Sequence, residues 1–117
     1  MRYLLLIYVN ESVYENQDPE EQARDYQEYN AFSGEAEKRG FAPQGEALQS
    51  ISTATTVRVR EGKILATDGP FAETKEQLGG YYMLNCKDLD EAIEMAAKIP
   101  GVRYGSIEIR PIMEFGV

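Results

Sequence analysis

The sequence predicts one α+β domain in which two helices pack on one face of an antiparallel sheet. Three observations favour this fold class. Short apolar runs, bounded by polar residues or glycine, alternate with two segments of helical periodicity. The elements follow the order strand, helix, strand, then a β-hairpin, then strand, helix, strand. The chain has 117 residues, the size of one domain, so we assign residues 1–117 to a single domain.

The first strand candidate, Arg2 to Val9, is apolar at successive positions rather than at alternate ones. Neighbouring side chains of a strand point to opposite faces, so both faces of this strand need to be covered. One face carries Tyr3, Leu5, Ile7 and Val9, and the other carries Leu4, Leu6 and Tyr8.

A long helix is predicted from about residue 19 to residue 39. Asp18 can cap its first amide groups, and Pro19 suits the first helical position. Gly40 suits a left-handed stop after the last turn. The side of the helix that we expect to face the core consists of Tyr26, Tyr29, Phe32 and Ala36.

The middle of the chain predicts an edge strand and a hairpin. Residues 41–48 form the edge strand, because a proline and a glycine interrupt them. Residues 55–60 and 63–67 form strands around a reversal at Glu61 and Gly62. Their alternation of apolar and polar residues predicts a hairpin with one solvated face.

The last third of the chain repeats the strand, helix and strand order. Residues 81–86 are apolar on both faces, which favours a central strand. A capping box at Asp88 begins a helix whose apolar period continues to Ile99, before a proline-glycine pair. The final strand is predicted over residues 106–114, at an edge, because Pro111 cannot donate to a ladder.

Two such halves form the ferredoxin-like split βαβ arrangement, here with an inserted β-hairpin. Helices on one face leave the other face of the sheet uncovered, although the first and penultimate strands are apolar on both. A second copy of the same sheet is the simplest cover. We therefore expect a symmetric homodimer in which the two sheets wrap into a barrel.

Charge and composition exclude several classes of partner. The net charge of −8 disfavours nucleic acid and anionic membrane surfaces. The longest apolar run, Tyr3 to Val9, is far shorter than the ~20 residues of a membrane span. No charged leader precedes that run, so we expect no signal peptide. A single cysteine, Cys86, excludes an internal disulfide and favours a reducing cytoplasm.

The residue types that are missing exclude several chemistries. The chain has no histidine, which removes Ser-His-Asp and Cys-His arrangements and the usual nitrogen ligands of zinc. The phosphate-binding patterns GxGxxG and GxxxxGK[ST] are absent, and so is GxSxG. We therefore expect neither a metal nor a cofactor.

The densest group of candidate functional residues follows the predicted hairpin. In one interpretation Asp68 opens a turn and Phe71 anchors the loop in the core. In the other, Asp68 faces a pocket beside Glu73 and Lys75, where burial would raise its pKa and let it act as a general base or acid.

A second candidate pair lies in the final strand, where Glu108 and Arg110 share one face. The pair can form a solvated edge or an ion pair at the dimer interface. Alternatively, the planar fork of Arg110 can bind the carboxylate or phenolate of a small ligand.

Residues 67–80 read TDGPFAETKEQLGG and resemble the YCII-related family, in particular its DGPF branch. The resemblance continues through YYMLNCKDLDEAIEMAAKIPG, the terminal IEIRPI and the opening RYLLLIY. It implies a dimeric α+β barrel in which the DGPF loop borders a cleft, so that Asp68, Phe71, Glu73 and Lys75 line a pocket. Short relatives carry a His-Asp pair proposed as an active site, which this chain cannot form. Some members of the branch are associated with alternative sigma factors.

Three functional hypotheses follow. The first is a binding module for a small organic molecule, which lies in a pocket between sheet and helices with Asp68, Phe71, Glu73, Lys75 and Arg110 as ligand contacts. The second is a lyase or isomerase in which Asp68 or Glu73 is the catalytic base and Arg110 holds an anionic group. The third is a regulatory protein that docks on a transcription factor through its acidic helix face.

Overall fold

The computed structural model describes residues 1–116 as a four-stranded antiparallel sheet, a separate two-stranded hairpin and three α-helices. The strands are β1 (Arg2–Val9), β2 (Gln44–Ala47), β3 (Thr55–Arg60), β4 (Lys63–Asp68), β5 (Gln77–Asn85) and β6 (Gly105–Pro111). The α-helices are α1 (Glu11–Glu15), α2 (Pro19–Lys38) and α3 (Leu89–Ala96). Short 3-10 helices cover Ile51–Thr53 and Pro100–Arg103.

The main sheet has the strand order β2-β5-β1-β6, with every neighbouring pair antiparallel. This confirms the predicted α+β ferredoxin-like fold. The two strands that are apolar on both faces, β1 and β5, are central, and β2 and β6 lie at the edges as predicted. β6 ends at Pro111, three residues before the predicted end.

The hydrophobic core lies between one face of this sheet and the helices α2 and α3. Alternate residues of β1 are fully buried there, as their two-residue period requires. The core consists of Tyr3, Leu5, Ile7, Val9, Phe32, Ala36, Phe41, Leu84, Cys86, Ala92, Met95, Ala96 and Ile99.

Helix α2 begins where its cap predicts, since the Asp18 carboxylate accepts the Glu21 amide at 2.9 Å. The prediction that Tyr26 faces the core is wrong, because its ring is 70% exposed. The neighbouring Asp25 is buried instead. A charged group can occupy this position because Arg103 donates to its carboxylate at 2.9 Å.

Two other helix boundaries differ from prediction. The short helix α1 was not predicted; the Asn10 side chain caps it by accepting the Ser12 amide at 3.0 Å. Helix α3 ends at Ala96 rather than at Ile99. Ile99 precedes a proline and is extended, with ψ of 125°, because proline disfavours a helical residue before it.

The hairpin β3–β4 turns at Glu61 and Gly62, as predicted. Both residues have positive φ, 52° and 75°, which matches the twist of a two-residue hairpin turn. The prediction of only one solvated face is wrong: nearly all residues on both faces are exposed, because the hairpin forms its own sheet beside the helix-covered one.

The face of the main sheet opposite the helices is partly apolar. Leu4, Leu6 and Tyr8 of β1 lie on it, half-buried between their neighbours on β5 and β6. The cross-strand neighbours of these three residues are Leu78, Tyr81, Met83, Ser106, Glu108 and Arg110. We call this surface the open face. Among residues 1–116, no helix combines the length and apolarity that a membrane span requires.

Candidate functional site

A cavity of about 560 Å³ lies on the helix side of the sheet, where one corner meets α1 and the first half of α2. Its floor is built from β1, β2 and β5. Ile7, Gly80 and Ala47 form one cross-strand row of this floor. Glycine and alanine fill little of the space below the helices, so a void remains at this corner.

Close approach of the backbone explains two of the glycines at this corner. A Cβ atom on Gly80 would lie 2.9 Å from the carbonyl oxygen of Glu46, and one on Gly45 would collide with the carbonyl oxygen of Tyr81. Gly79 differs, because its Cβ would meet Val9 at an ordinary 3.7 Å. A side chain at residue 79 would therefore enter the cavity without a backbone collision.

Tyrosine rings form much of the wall, and several are fixed by packing. Tyr29 of α2 stacks on Tyr82 of β5, with ring centroids 6.4 Å apart and planes 26° apart. Tyr82 also packs on Phe32, with centroids 4.6 Å apart. Tyr14 of α1 meets Tyr104 edge to face at 6.1 Å. These contacts preform the aromatic wall.

The hydroxyl groups of Tyr14 and Tyr29 meet beside Gly101. A Cβ atom on Gly101 would lie 3.3 Å from Oη of Tyr29 and 3.7 Å from Oη of Tyr14. Burial raises the pKa of Tyr29 far above its ordinary value and also raises the pKa of Tyr14. Both residues therefore act at neutral pH as uncharged hydrogen-bonding groups.

Among residues 1–116, the charged side chains that line the cavity on the helix side of the sheet are Glu11 and Glu15. Glu46 contributes only backbone to the cavity, because it pairs with Tyr81 in the cross-strand row of Leu6, which belongs to the open face. Glu11 is held in place, since its carboxylate accepts the Ser50 hydroxyl at 2.9 Å and the Ile51 amide at 2.8 Å. These bonds also join α1 to the segment that leaves β2. The cavity thus combines aromatic walls with a negatively charged border.

The predicted contacts of the DGPF loop lie outside this cavity. Asp68 ends β4 and is exposed, and Glu73 and Lys75 are exposed in the segment before β5. Phe71 is 79% exposed, so the interpretation that it anchors the loop in the core is wrong. In the single chain these four residues are solvated rather than gathered around a pocket.

Arg110 lies on the open face, with the sheet between it and the cavity. Its guanidinium is 3.9 Å from the Glu108 carboxylate, so the structure places these two residues together as predicted. Glu108 also accepts the Tyr8 hydroxyl at 3.3 Å. Arg110 keeps 68% of its side chain exposed, and this leaves the guanidinium accessible.

Other reactive groups are less accessible. Cys86 is a buried free thiol, and burial raises its pKa, which lowers its thiolate fraction. Among residues 1–116, no three potential metal ligands of the His, Cys, Asp and Glu types cluster.

The sequence predicted a small-molecule pocket between sheet and helices but assigned its lining to the DGPF loop and Arg110; it did not identify the residues that line this cavity, although two signals for them were present. A Gly79-Gly80 pair inside an otherwise apolar strand indicates missing side-chain volume or a close backbone approach. Tyr26 and Tyr29 lie on the helix that crosses that strand, and this places aromatic rings over the missing volume.

Comparison with known proteins identifies a family for this chain. A family model described as YCII-related domain matches residues 1–116. An uncharacterised protein of Rhizobium meliloti (strain 1021) is 36% identical over 114 residues, which covers 96% of this chain and 92% of that protein. The resemblance found in the sequence is thereby confirmed: this chain belongs to the YCII-related family.

Proposed function

We propose that this protein is a homodimer that binds a small organic molecule in the cavity beside α1 and α2. The observation that carries the proposal is the cavity itself. Its volume of about 560 Å³ lies within the roughly 300–1,000 Å³ of typical ligand pockets. Its walls combine aromatic rings with few polar groups, as ligand pockets do.

The groups that border the cavity favour binding over covalent catalysis. They are phenols, carboxylates and the hydroxyl of Ser50. Tyr14 and Tyr29 hold their protons at neutral pH, and the Ser50 hydroxyl donates to Glu11 as part of a local structural contact. Oε2 of Glu11 accepts this hydroxyl while Oε1 accepts the Ile51 amide, so the contact joins α1 to the segment after β2, and we assign it a structural role.

A thermal-shift screen against a metabolite library tests the binding proposal. A ligand at a hundred times its dissociation constant stabilises the native state by ~2.7 kcal/mol, a shift of several degrees. Gly79→Leu places bulk in the cavity, and Gly34→Leu adds the same side chain to an exposed site on α2 with open space around it. We expect hits on the wild type and on Gly34→Leu that are lost in Gly79→Leu.

Two outcomes would contradict the proposal that the cavity binds a ligand. A screen without hits leaves the cavity without a ligand, and hits that persist in Gly79→Leu place the binding elsewhere. Circular dichroism of both leucine variants controls for folding.

The open face supports the homodimer. Leu4, Leu6 and Tyr8 make the centre of this face apolar, and the helices cover only the opposite side of the sheet. A patch of this kind on a monomer is a typical interaction surface. A second copy offers an identical surface, which is what a two-fold interface requires.

The β3–β4 hairpin gives a second reason for a dimer. Val57, Val59 and Ile64 project from one of its faces and are 61%, 58% and 77% exposed. An isolated two-stranded hairpin is marginally stable in water. Its tip carries Arg58 and Arg60 on a chain whose net charge is −8, so a second copy of the same chain offers it an acidic partner.

The DGPF-loop residues and Arg110 lie outside this cavity, so they stay predicted contacts of a second pocket that the dimer would form. Asp68, Phe71, Glu73 and Lys75 are exposed in the single chain, so a pocket around them requires the second copy. The exposed ring of Phe71 is the side chain that such a contact would bury.

Light scattering tests the dimer. We expect about twice the 13.2 kDa of one chain at micromolar concentration. Leu6→Lys places a charge in the centre of the open face and should give a monomer, whereas Ile93→Lys, on an exposed position of α3, should stay dimeric. A wild-type mass of one chain would overturn the homodimer.

A further inference from the structure

We propose that the cavity selects an organic cation with a flat apolar body, such as an arylalkylammonium ion, over anionic molecules of the same shape. This rests on the proposed function that the cavity binds a small molecule. It goes further by assigning the charge and shape of the ligand.

The first argument is the charge of the cavity border. Glu11 and Glu15 are its charged side chains, and among residues 1–116 no lysine or arginine lines it. An anion that enters would lose its hydration next to carboxylates and gain no cationic partner. A cation would exchange its hydration for carboxylate oxygens.

The second argument is the use of basic residues elsewhere in the protein. Arg2 pairs with Glu114, Arg39 with Glu94, and Arg103 with Asp25 and Glu28. These ion pairs neutralise carboxylates at other sites.

The carboxylates at the cavity do not take part in these ion pairs. Among the residues that the structure describes, Glu15 has no lysine or arginine within ion-pair distance. Its charge therefore remains for a ligand, and the Ser50 and Ile51 contacts hold the second carboxylate, Glu11, at the same border.

The third argument is the aromatic wall. Four of the eight tyrosines of the chain line the cavity on the helix side of the sheet, and the stacked pair Tyr29 and Tyr82 is held by packing on Phe32. The face of an aromatic ring is negative, so it attracts ammonium groups as well as flat apolar bodies. The net charge of the protein also favours a cationic ligand, because a net charge of −8 concentrates cations at the protein surface.

Three probes of matched shape test the selection: 2-phenylethylammonium, 2-phenylethanol and phenylacetate. Dissociation constants are measured by ligand-observed NMR with the full-length chain at low salt. We expect the ammonium ion to bind at least tenfold more tightly than phenylacetate, with the alcohol between them. Raising the salt concentration should reduce the difference between the ammonium ion and the alcohol.

Variants then locate the effect. Glu15→Gln should weaken the ammonium probe at least threefold and leave the alcohol unchanged. Glu37→Gln removes the same charge from an exposed site outside the cavity and should change neither probe. Gly79→Leu should remove the binding of both.

Several results would overturn the inference. Phenylacetate or the alcohol binding as tightly as the ammonium ion would remove the charge preference but keep cavity binding. Ammonium binding that survives Gly79→Leu would place the cation on the general acidic surface. If none of the three probes binds, the inference fails, and the metabolite screen decides separately whether the cavity takes another class of molecule.

Discussion

Replacement of Arg103 by methionine tests what holds α2, and with it the tyrosine wall, against the rest of the fold. The partner of Arg103 is Asp25, which is 5% exposed and lies one residue before Tyr26. The Asp25 carboxylate accepts Nη2 of Arg103 at 2.9 Å, Nε2 of Gln17 at 2.8 Å and the Tyr104 hydroxyl at 3.3 Å. Methionine keeps the apolar stem of arginine but removes the charge and its hydrogen bonds.

The expected loss of stability follows from the burial of the two partners. Removing one partner of a fully buried ion pair costs about 3–5 kcal/mol. The Arg103 side chain is 44% exposed, and Gln17 and Tyr104 remain as donors to Asp25, so roughly half of that cost applies. Loss of the exposed contact to Glu28 adds at most a few tenths of a kcal/mol. We expect Arg103→Met to lower the free energy of unfolding by about 2 kcal/mol.

Urea unfolding followed by circular dichroism at one fixed protein concentration measures this loss. With a slope of about 2 kcal/mol per molar urea, the midpoint should fall by about 1 M. Arg24→Met is the matched control, because Arg24 lies beside Asp25 on α2 and is exposed. The urea midpoint of this variant should stay within about 0.3 M of the wild type. Equal midpoints for the two variants would refute the reasoning and show that Gln17 and Tyr104 satisfy Asp25 alone.

Three further predictions concern positions near and far from the cavity. Gly34→Ala should raise the free energy of unfolding by about 0.5–1 kcal/mol, because Gly34 lies inside α2 with open space around it; an unchanged urea midpoint would contradict this. Burial raises the pKa of Tyr29, so the unfolded chain releases the proton of this phenol first and stability falls as pH rises above about 10. Tyr29→Phe should therefore lose stability less steeply than the wild type between pH 9 and 11, by up to about 1.4 kcal/mol per pH unit, and parallel urea midpoints would disprove this. Asp68→Asn should change the free energy of unfolding by less than about 0.5 kcal/mol because Asp68 is exposed, so any loss of ligand affinity in this variant would assign the residue a binding role rather than a turn role.

The starts of α2 and α3 and the edge position of β6 could be predicted because their signals are local. Asp18 and Asp88 cap helices through their own side chains, and each does so in the structure. Pro111 restricts β6 to an edge through its missing donor, and the edge is where β6 lies. Each of these constraints acts within a few residues of its cause, so it can be read without knowing the rest of the fold.

The boundaries that differ depend on contacts that the sequence does not display. Asp25 replaces Tyr26 at the core because Arg103 and Tyr104, nearly eighty residues away, supply its donors. A helical period assigns the apolar residue to the inside, and only a distant partner can reverse that assignment.

The cavity is harder still to predict, because it is defined by volume that no side chain fills. Gly80 and Ala47 become neighbours only through the pairing of β2 with β5, and the Tyr29 ring reaches the same corner only through the packing of α2. Close approach accounts for Gly45 and Gly80, whereas Gly79 could carry a side chain at an ordinary distance from Val9. The cavity leaves apolar ring surface in contact with water, so a strand that leaves this space open where a side chain would fit is better explained by a molecule that occupies it. For this reason Gly79→Leu is informative in both directions: without ligand it should stabilise the fold by filling the void, and that gain should coincide with the loss of binding.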